Sequence, residues 1–358
     1  MSSYTGKRKK ERTMPTKNKI IVIGTSAGGM QALCKLVDQL PADLPASIFV
    51  VQHLSVDSSV SFLINRLSQH TALTCKAAQH EDTIEPATLY MAPADKHLLL
   101  NKDSLIVVRG ARENQFRPAI DPMFRSAAAY HGPHVIGVVL TGFMSDGVVG
   151  MESVVRSGGT TVVQDPADAE FPQLPLNVIR NVTTDHVVPL TEMGALLTKL
   201  VDMPAPESVT VPTDIWQEAR ITERIMKNSN MTSIEELESI GERAAYSCPD
   251  CGGGLWELTQ PGTVTRYRCH SGHAYTQDTL LHGMSSSLEE TLWVAMRTLE
   301  ERRNILLNMS QAESSNSNKR WVSLQEERAE EMKVHIERLR ELLIKSALSD
   351  EEHLGEAM

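Results

Sequence analysis

The chain has 358 residues, a formal net charge of −10 and five cysteines, with 41% hydrophobic and 22% charged residues. That length holds about two domains and a sizeable core, and the acidic balance argues against a nucleic-acid binder. No apolar run reaches the roughly 18 residues of a membrane span and no signal-peptide core follows the basic start, so a cytoplasmic protein with no direct membrane insertion is expected.

Residues 1–18 carry Lys7, Arg8, Lys9, Lys10, Arg12 and Lys17 and few apolar side chains, the composition of a disordered basic tail. A β-branched run over 20–23 then predicts a buried strand. It ends at Gly24, and helical spacing begins at Met30 with Leu33, Leu36, Val37 and Leu40. Between them Gly24-Thr25-Ser26-Ala27-Gly28 is a G-x-S-x-G turn, the setting in which a sharp strand-to-helix bend presents a serine hydroxyl. A dinucleotide-binding turn is not met, because Ser26 stands where the middle glycine is needed and the next strand ends without an acidic residue. A phosphate-binding P-loop is not met either, since no Gly-Lys-Ser/Thr follows. A Gly/Ser turn without chemistry stays open on this motif alone.

Residues 46–52 predict a second strand with His53 directly at its end. Short strands follow over 89–93, 98–100 and 104–108, and a helix over 123–130. The run 134–141 predicts a buried strand leading into Gly142-Phe143-Met144-Ser145-Asp146-Gly147, with a helix over 148–157 and strands over 160–164 and 186–188. Strands alternating with helices predict a doubly wound, mostly parallel α/β sheet with helices on both faces. Ligands bind such sheets beyond the carboxyl ends of the strands. Ser26, His53 and Asp146 each sit just past a different strand end. Serine needs a base, and the base needs a carboxylate to hold its tautomer. Individually, His53 also reads as a surface histidine and Asp146-Gly147 as turn chemistry. It is the shared position that joins them.

Five ordered stretches together resemble the protein-glutamate methylesterases of bacterial chemotaxis, the CheB catalytic domain: 23–29, Gln52-His53, Ala92-Pro93-Ala94-Asp95-Lys96-His97, Arg117-Pro118-Ala119-Ile120-Asp121 and 140–147. The resemblance covers about residues 19–200. It implies Ser26 as nucleophile, His53 as base and Asp146 as its orienting acid, with main-chain N–H groups at Ala27, Gly28 and Phe143 for the oxyanion. It also implies hydrolysis of glutamate γ-methyl esters in chemosensory adaptation, with glutamine deamidation as a second activity and no catalytic cofactor. The expected partner is a methylated chemoreceptor or receptor-like protein, with the methyltransferase and other signalling proteins as further candidates. Two departures stand out: Ala27 where threonine is usual, and Gly142-Phe143-Met144 where the family has Gly-Met-Gly. Phosphorylation-controlled members carry a receiver domain before this one. Only the polar tail precedes the first strand here, so control from elsewhere is expected. A hydrolase-like adaptor and a serine esterase for a small molecule remain alternatives.

Beyond 19–203, a linker with helices is expected over 204–243, specifically 214–227 and 234–243. Cys34 and Cys75 stand alone and read as small buried hydrophobes. The other three cysteines form Cys248-Pro-Asp-Cys251, seventeen residues, then Cys269-His270-Ser271-Gly272-His273. This spacing predicts a structural zinc site and a zinc-ribbon-like module over 244–283, with His273 favoured over His270 as fourth ligand. Reduced thiols in a loop are the competing reading, and such cysteine use suits a reducing compartment. From Ser285 onward, Leu288, Leu292, Ala295, Leu299 and Leu306, then Met332, Ile336, Leu339 and Leu343 recur at helical spacing around a polar break at 310–318. They predict a helical hairpin within 284–358, started by a Ser286/Glu289 capping box. Its stripes pack on each other, or dock on a receptor bundle or a second copy.

Overall fold

A computed structural model describes residues 18–206, 209–228, 232–258, 264–313 and 319–355, in two compact units. The basic tail over 1–17 and most of the polar break, 314–318, lie outside the described residues.

The first unit is built on seven parallel strands: β1 (Lys19–Thr25), β2 (Ala46–Gln52), β3 (Thr74–Ala77), β4 (Thr88–Met91), β7 (Val135–Val139), β8 (Thr160–Gln164) and β9 (His186–Val188), in the order β3-β4-β2-β1-β7-β8-β9. An antiparallel pair, β5 (His97–Leu100) and β6 (Leu105–Val108), stands apart from it. The strands read as unbroken apolar runs because both faces are covered. Ile20, Val22, Phe49 and Val51 pack with Met123 and Phe124 of α3 (Ile120–His131), Met151 of α4 (Val148–Arg156) and Leu174 of α5 (Gln173–Asn181). Their alternates Ile21, Ile23, Ile48 and Val50 pack with Leu33 and Leu36 of α1 (Gly29–Val37), Leu67 of α2 (Val60–Ser68) and Leu197 of α6 (Leu190–Asp202). This period-two division between faces fixes the register. Cys34 and Cys75 are free thiols on the second face. The chain leaves β1 toward β2 on one side and meets β7 on the other, which makes the carboxyl end of β1 a topological switch point.

After α6 come α7 (Thr213–Asn228) and α8 (Ile234–Glu238), then a four-stranded sheet of β10 (Glu242–Ser247), β11 (Gly254–Leu258), β12 (Arg266–Cys269) and β13 (Ala274–Thr276). The expected helix over 234–243 therefore stops early, and Arg243 lies in a strand: pairing with β11 overrides the helix-favouring Glu-Arg-Ala-Ala run. A buried charge cluster joins these parts of the unit. Arg125 of α3 and Arg268 of β12 both grip Glu113, and Arg125, Arg266 and Arg268 surround Glu218 of α7. All five side chains are at most about a tenth exposed.

The second unit holds two 37-residue helices, α9 (Gln277–Glu313) and α10 (Lys319–Gly355). Met296, Ile336 and Leu343 are buried between them, with Leu292, Leu299 and Leu339 alongside. Ser310 pairs with Glu326 and Glu300 with Arg340, so the helices run antiparallel. α9 starts at Gln277, well before Ser286. Ser286 is interior, with its hydroxyl donating to the His282 carbonyl one turn back, so it does not cap the helix. No helix among the described residues is long and apolar enough to cross a membrane.

Candidate active site

Ser26, His53 and Asp146 follow β1, β2 and β7, three adjacent strands, and their side chains meet. Ser26 Oγ lies 3.1 Å from His53 Nδ1, and His53 Nε2 lies 2.7 Å from Asp146 Oδ2. A proton on Nε2, facing the carboxylate, leaves Nδ1 as the acceptor for the serine hydroxyl.

Each member is braced from below. Gln52 Nε2 donates to the Ser26 carbonyl at 2.6 Å, and the Ser26 amide donates to the Thr141 carbonyl at 3.1 Å. Gly142 permits the close approach: a Cβ there would lie 2.7 Å from Ser26 Cβ. Gly28 takes φ +72°, the left-handed turn that opens α1, a conformation for which glycine is preferred. Phe116 stacks on the His53 ring with centroids 3.6 Å apart and planes 9° from parallel.

Asp146 is fully buried and accepts four hydrogen bonds. Oδ2 takes His53 Nε2 and the Ile120 amide (2.6 Å), and Oδ1 takes Asn114 Nδ2 (2.8 Å) and the Asp121 amide (3.2 Å). Two of these donors are the first N–H groups of α3, so a helix N-terminus steadies the negative charge. This explains why α3 begins at Ile120, ahead of the predicted 123. Asp121 is buried beside it and accepts from Gly147, Gly150 and Asn114. Burial, then the Asp146 charge, push the Asp121 carboxyl well above its usual range. The intervening loop is tied down from two sides. Asp95, held below its usual range by its hydrogen bond to Arg117, also pairs with Arg109. Burial pushes His97 down, keeping it neutral, and its Nε2 donates to the Ala111 carbonyl while Nδ1 accepts from the Ala119 amide (3.3 Å).

Above the row lies a cleft of about 430 Å³, lined by the 26–31 turn, Gln52, His53, Arg66 and Glu170. The amides of Ser26, Gly29 and Gly142 are taken up by Thr141, Ser26 and Phe171 carbonyls. Among the described residues those of Ala27, Gly28 and Phe143 have no backbone acceptor. The Phe143 side chain is 39% exposed and leans on Phe171, centroids 4.7 Å apart. The sequence pattern marks neither Asn114 nor Phe116, and it gives Asp121 no role beyond its place in a motif. Asn114 and Phe116 sit in an irregular loop that no periodicity marks.

Elsewhere, Cys248, Cys251, Cys269 and His273 each offer one ligand atom, all within 4.8 Å of one another. Cys269 Sγ and His273 Nδ1 are 3.5 Å apart. Metal–sulfur and metal–nitrogen bonds of about 2.3 and 2.0–2.1 Å at a tetrahedral angle give an edge of roughly 3.6 Å, so the donor set fits zinc. His270 is not in the group.

Fold and rim thus define a doubly wound α/β domain carrying a serine–histidine–aspartate row over its strand ends. A family model described as CheB methylesterase matches residues 21–197. A protein-glutamate methylesterase/protein-glutamine glutaminase of Methanosarcina mazei is 34% identical over 205 residues, covering 54% of this chain and 56% of the relative. A Leptospira interrogans relative provisionally given the same paired name is 35% identical over 181 residues, 50% of this chain and 93% of its own. The crystal structure of the Thermotoga maritima CheB methylesterase catalytic domain is similar with a TM-score of 0.50 at 33% identity, covering 51% of this chain and 99% of that one. The chain belongs to the CheB methylesterase family. It spans about half the length of the Methanosarcina relatives it matches.

Proposed function

We propose that the chain hydrolyses glutamate γ-methyl esters on chemoreceptor-type proteins, with Ser26, His53 and Asp146 as a catalytic triad, and deamidates glutamine as a second activity. The observation that carries this is the unbroken row of hydrogen bonds, 3.1 and 2.7 Å, from the serine hydroxyl to a buried carboxylate. Ser26 Oγ attacks the ester carbonyl as His53 Nδ1 takes its proton, and Asp146 stabilises the imidazolium. The carbonyl π pair becomes an oxyanion held by the amides of Ala27, Gly28 and Phe143, whose loss costs about 100–1,000-fold in rate. As the carbon–oxygen bond to the methoxy group breaks, His53 returns the proton and methanol leaves. Water then attacks the glutamyl-serine ester with His53 as base, Ser26 regains its hydrogen, and a glutamate carboxylate is released.

The matching names of the relatives support this substrate class. The proposed layout is a catalytic domain over 19–203, a linker to 243, a zinc-ribbon-like module over 244–283 and a helical hairpin over 284–358, in a cytoplasmic protein. Within it Cys248, Cys251, Cys269 and His273 would hold a structural zinc. The metal would supply cross-linking there and no chemistry at Ser26. The test is methanol release from a methylated receptor cytoplasmic fragment by the full chain. Release that vanishes in Ser26→Ala supports the reading. Turnover of short esters with the receptor left intact would overturn it in favour of a small-molecule esterase.

A further inference from the structure

The loop residue Asn114 lies between two buried carboxylates and one strand of the C-terminal sheet. Its Nδ2 carries two hydrogens and donates one to Asp146 Oδ1 at 2.8 Å and one to Asp121 Oδ2 at 2.7 Å. Its Oδ1 accepts the Thr276 amide of β13 at 3.0 Å. That N–H fixes the amide orientation, because the reverse flip would aim an oxygen at two carboxylates and an NH2 at an N–H. The backbone is held by the same strand. The Asn114 amide donates to the Ala274 carbonyl at 2.7 Å, and Glu113 and Ala274 form a parallel bridge. Arg268 of β12 grips the neighbouring Glu113 at 2.9 Å, and Ser145, next to Asp146, shares a 2.9 Å hydroxyl contact with Thr276. Asn114 adopts φ +52°, a left-handed conformation that asparagine tolerates.

We propose that Asn114 is a positioning residue for Asp146 and that strand β13 of the C-terminal sheet sets it, so that full hydrolytic activity requires this sheet to be seated on the 112–114 loop. Two neighbouring carboxylates repel, and the shared amide is the donor that bridges them and keeps Asp146 aimed at His53. Withdrawal of β13 removes the Thr276 N–H that donates to the side-chain amide and the strand pairing that holds the Asn114 backbone, and the aspartate loses its aim. The C-terminal half thereby becomes a control element for chemistry to which it contributes no reacting group. The inference rests on the triad reading above, and on the methyl-ester reading only for its substrate.

The experiment compares the full-length parent with Asn114→Gly, which accepts positive φ without a Cβ, with Thr276→Pro, which removes the N–H, and with the double variant. Two rates are read: turnover of the methylated receptor fragment, and covalent labelling of Ser26 by a fluorophosphonate, which needs no protein substrate. Asn114→Gly is expected to lower kcat and the labelling rate together by about 10–100-fold, with KM within twofold of the parent. Thr276→Pro should follow the same pattern. Its effect through the Asn114 bond is already lost in Asn114→Gly, so the double variant should add no more than the loss of the Thr276 hydroxyl contact with Ser145. Thr276→Val reads that loss alone. Asn114→Asp keeps size and turn preference but replaces the donor by a third carboxylate, and should be at least as slow. Equal labelling of the parent and both Asn114 variants overturns the proposal, and so do multiplicative losses in the double variant. A parent that labels at Ser26 yet releases no methanol faults the substrate reading alone, and the labelling comparison still decides the inference. A parent that does not label overturns both.

Discussion

Phe116 lies flat against the imidazole of His53, ring centroids 3.6 Å apart. With Ser26 on one ring nitrogen and Asp146 on the other, this stack removes the remaining freedom of the ring to rotate out of line. Phe116→Ala is expected to lower kcat by about tenfold with little change in KM, since a base displaced by a fraction of an ångström loses proton-transfer geometry. Phe116→Tyr should retain the parent rate. Steady-state kinetics on the methylated receptor fragment read both.

Asp146 accepts donors on both oxygens, two of them from the N-terminus of α3. Asp146→Asn puts an NH2 against those N–H groups and leaves His53 without its anion. Turnover should fall by on the order of 1,000-fold or more. Ser26 and His53 remain, so a weakened substrate affinity is not expected, and the KM–kcat split is the check.

The buried cluster around Glu113 and Glu218 ties stability to pH. Burial alone would raise both carboxyls, but Arg125 and Arg268, joined at Glu218 by Arg266, hold them below their ordinary range. Below about pH 4.3 the unfolded chain binds protons that the folded chain refuses. The stabilisation is therefore full above that value and is lost as pH falls toward the folded pKa values. Asp121 acts in the opposite sense. Raised by burial and by Asp146, its contribution shrinks as pH rises above about 4. Glu218→Gln leaves buried guanidinium charge unpaired and should cost about 3 kcal/mol at pH 7. It should also flatten the decline below about pH 4.3, as read by urea unfolding at pH 7 and at about pH 3.

The Cys248, Cys251, Cys269 and His273 group gives a prediction independent of catalysis. Purified chain should carry one zinc. Cys248→Ser should weaken zinc affinity on the order of 100-fold or more and lower the melting temperature. His270→Ala should leave metal content unchanged. Elemental analysis and thermal melts distinguish the two histidines.

The fold was legible because a parallel sheet covered on both faces leaves long apolar runs, and Ser26, His53 and Asp146 stand out by following three of them. Shorter elements were not. α2, with Leu67 its one buried side chain, and α5, with Pro175 inside it, have little periodicity to show. Nothing in the Glu-Arg-Ala-Ala run announces β10, whose strand state depends on a partner further along the chain. At the site the same division holds. Residues at strand ends could be read, whereas Asn114 and Phe116 take their places only when the 109–117 loop is pinned by Asp95, His97 and β13. Those contacts are tertiary, and spacing along the chain does not encode them.

The most direct measurement is peptide mapping of the full chain after reaction with a fluorophosphonate, since an ordinary serine hydroxyl is inert to it. The expected result is a single adduct on Ser26 that disappears in His53→Ala. An adduct on another residue, or undiminished labelling of Ser26 without His53, would contradict the triad.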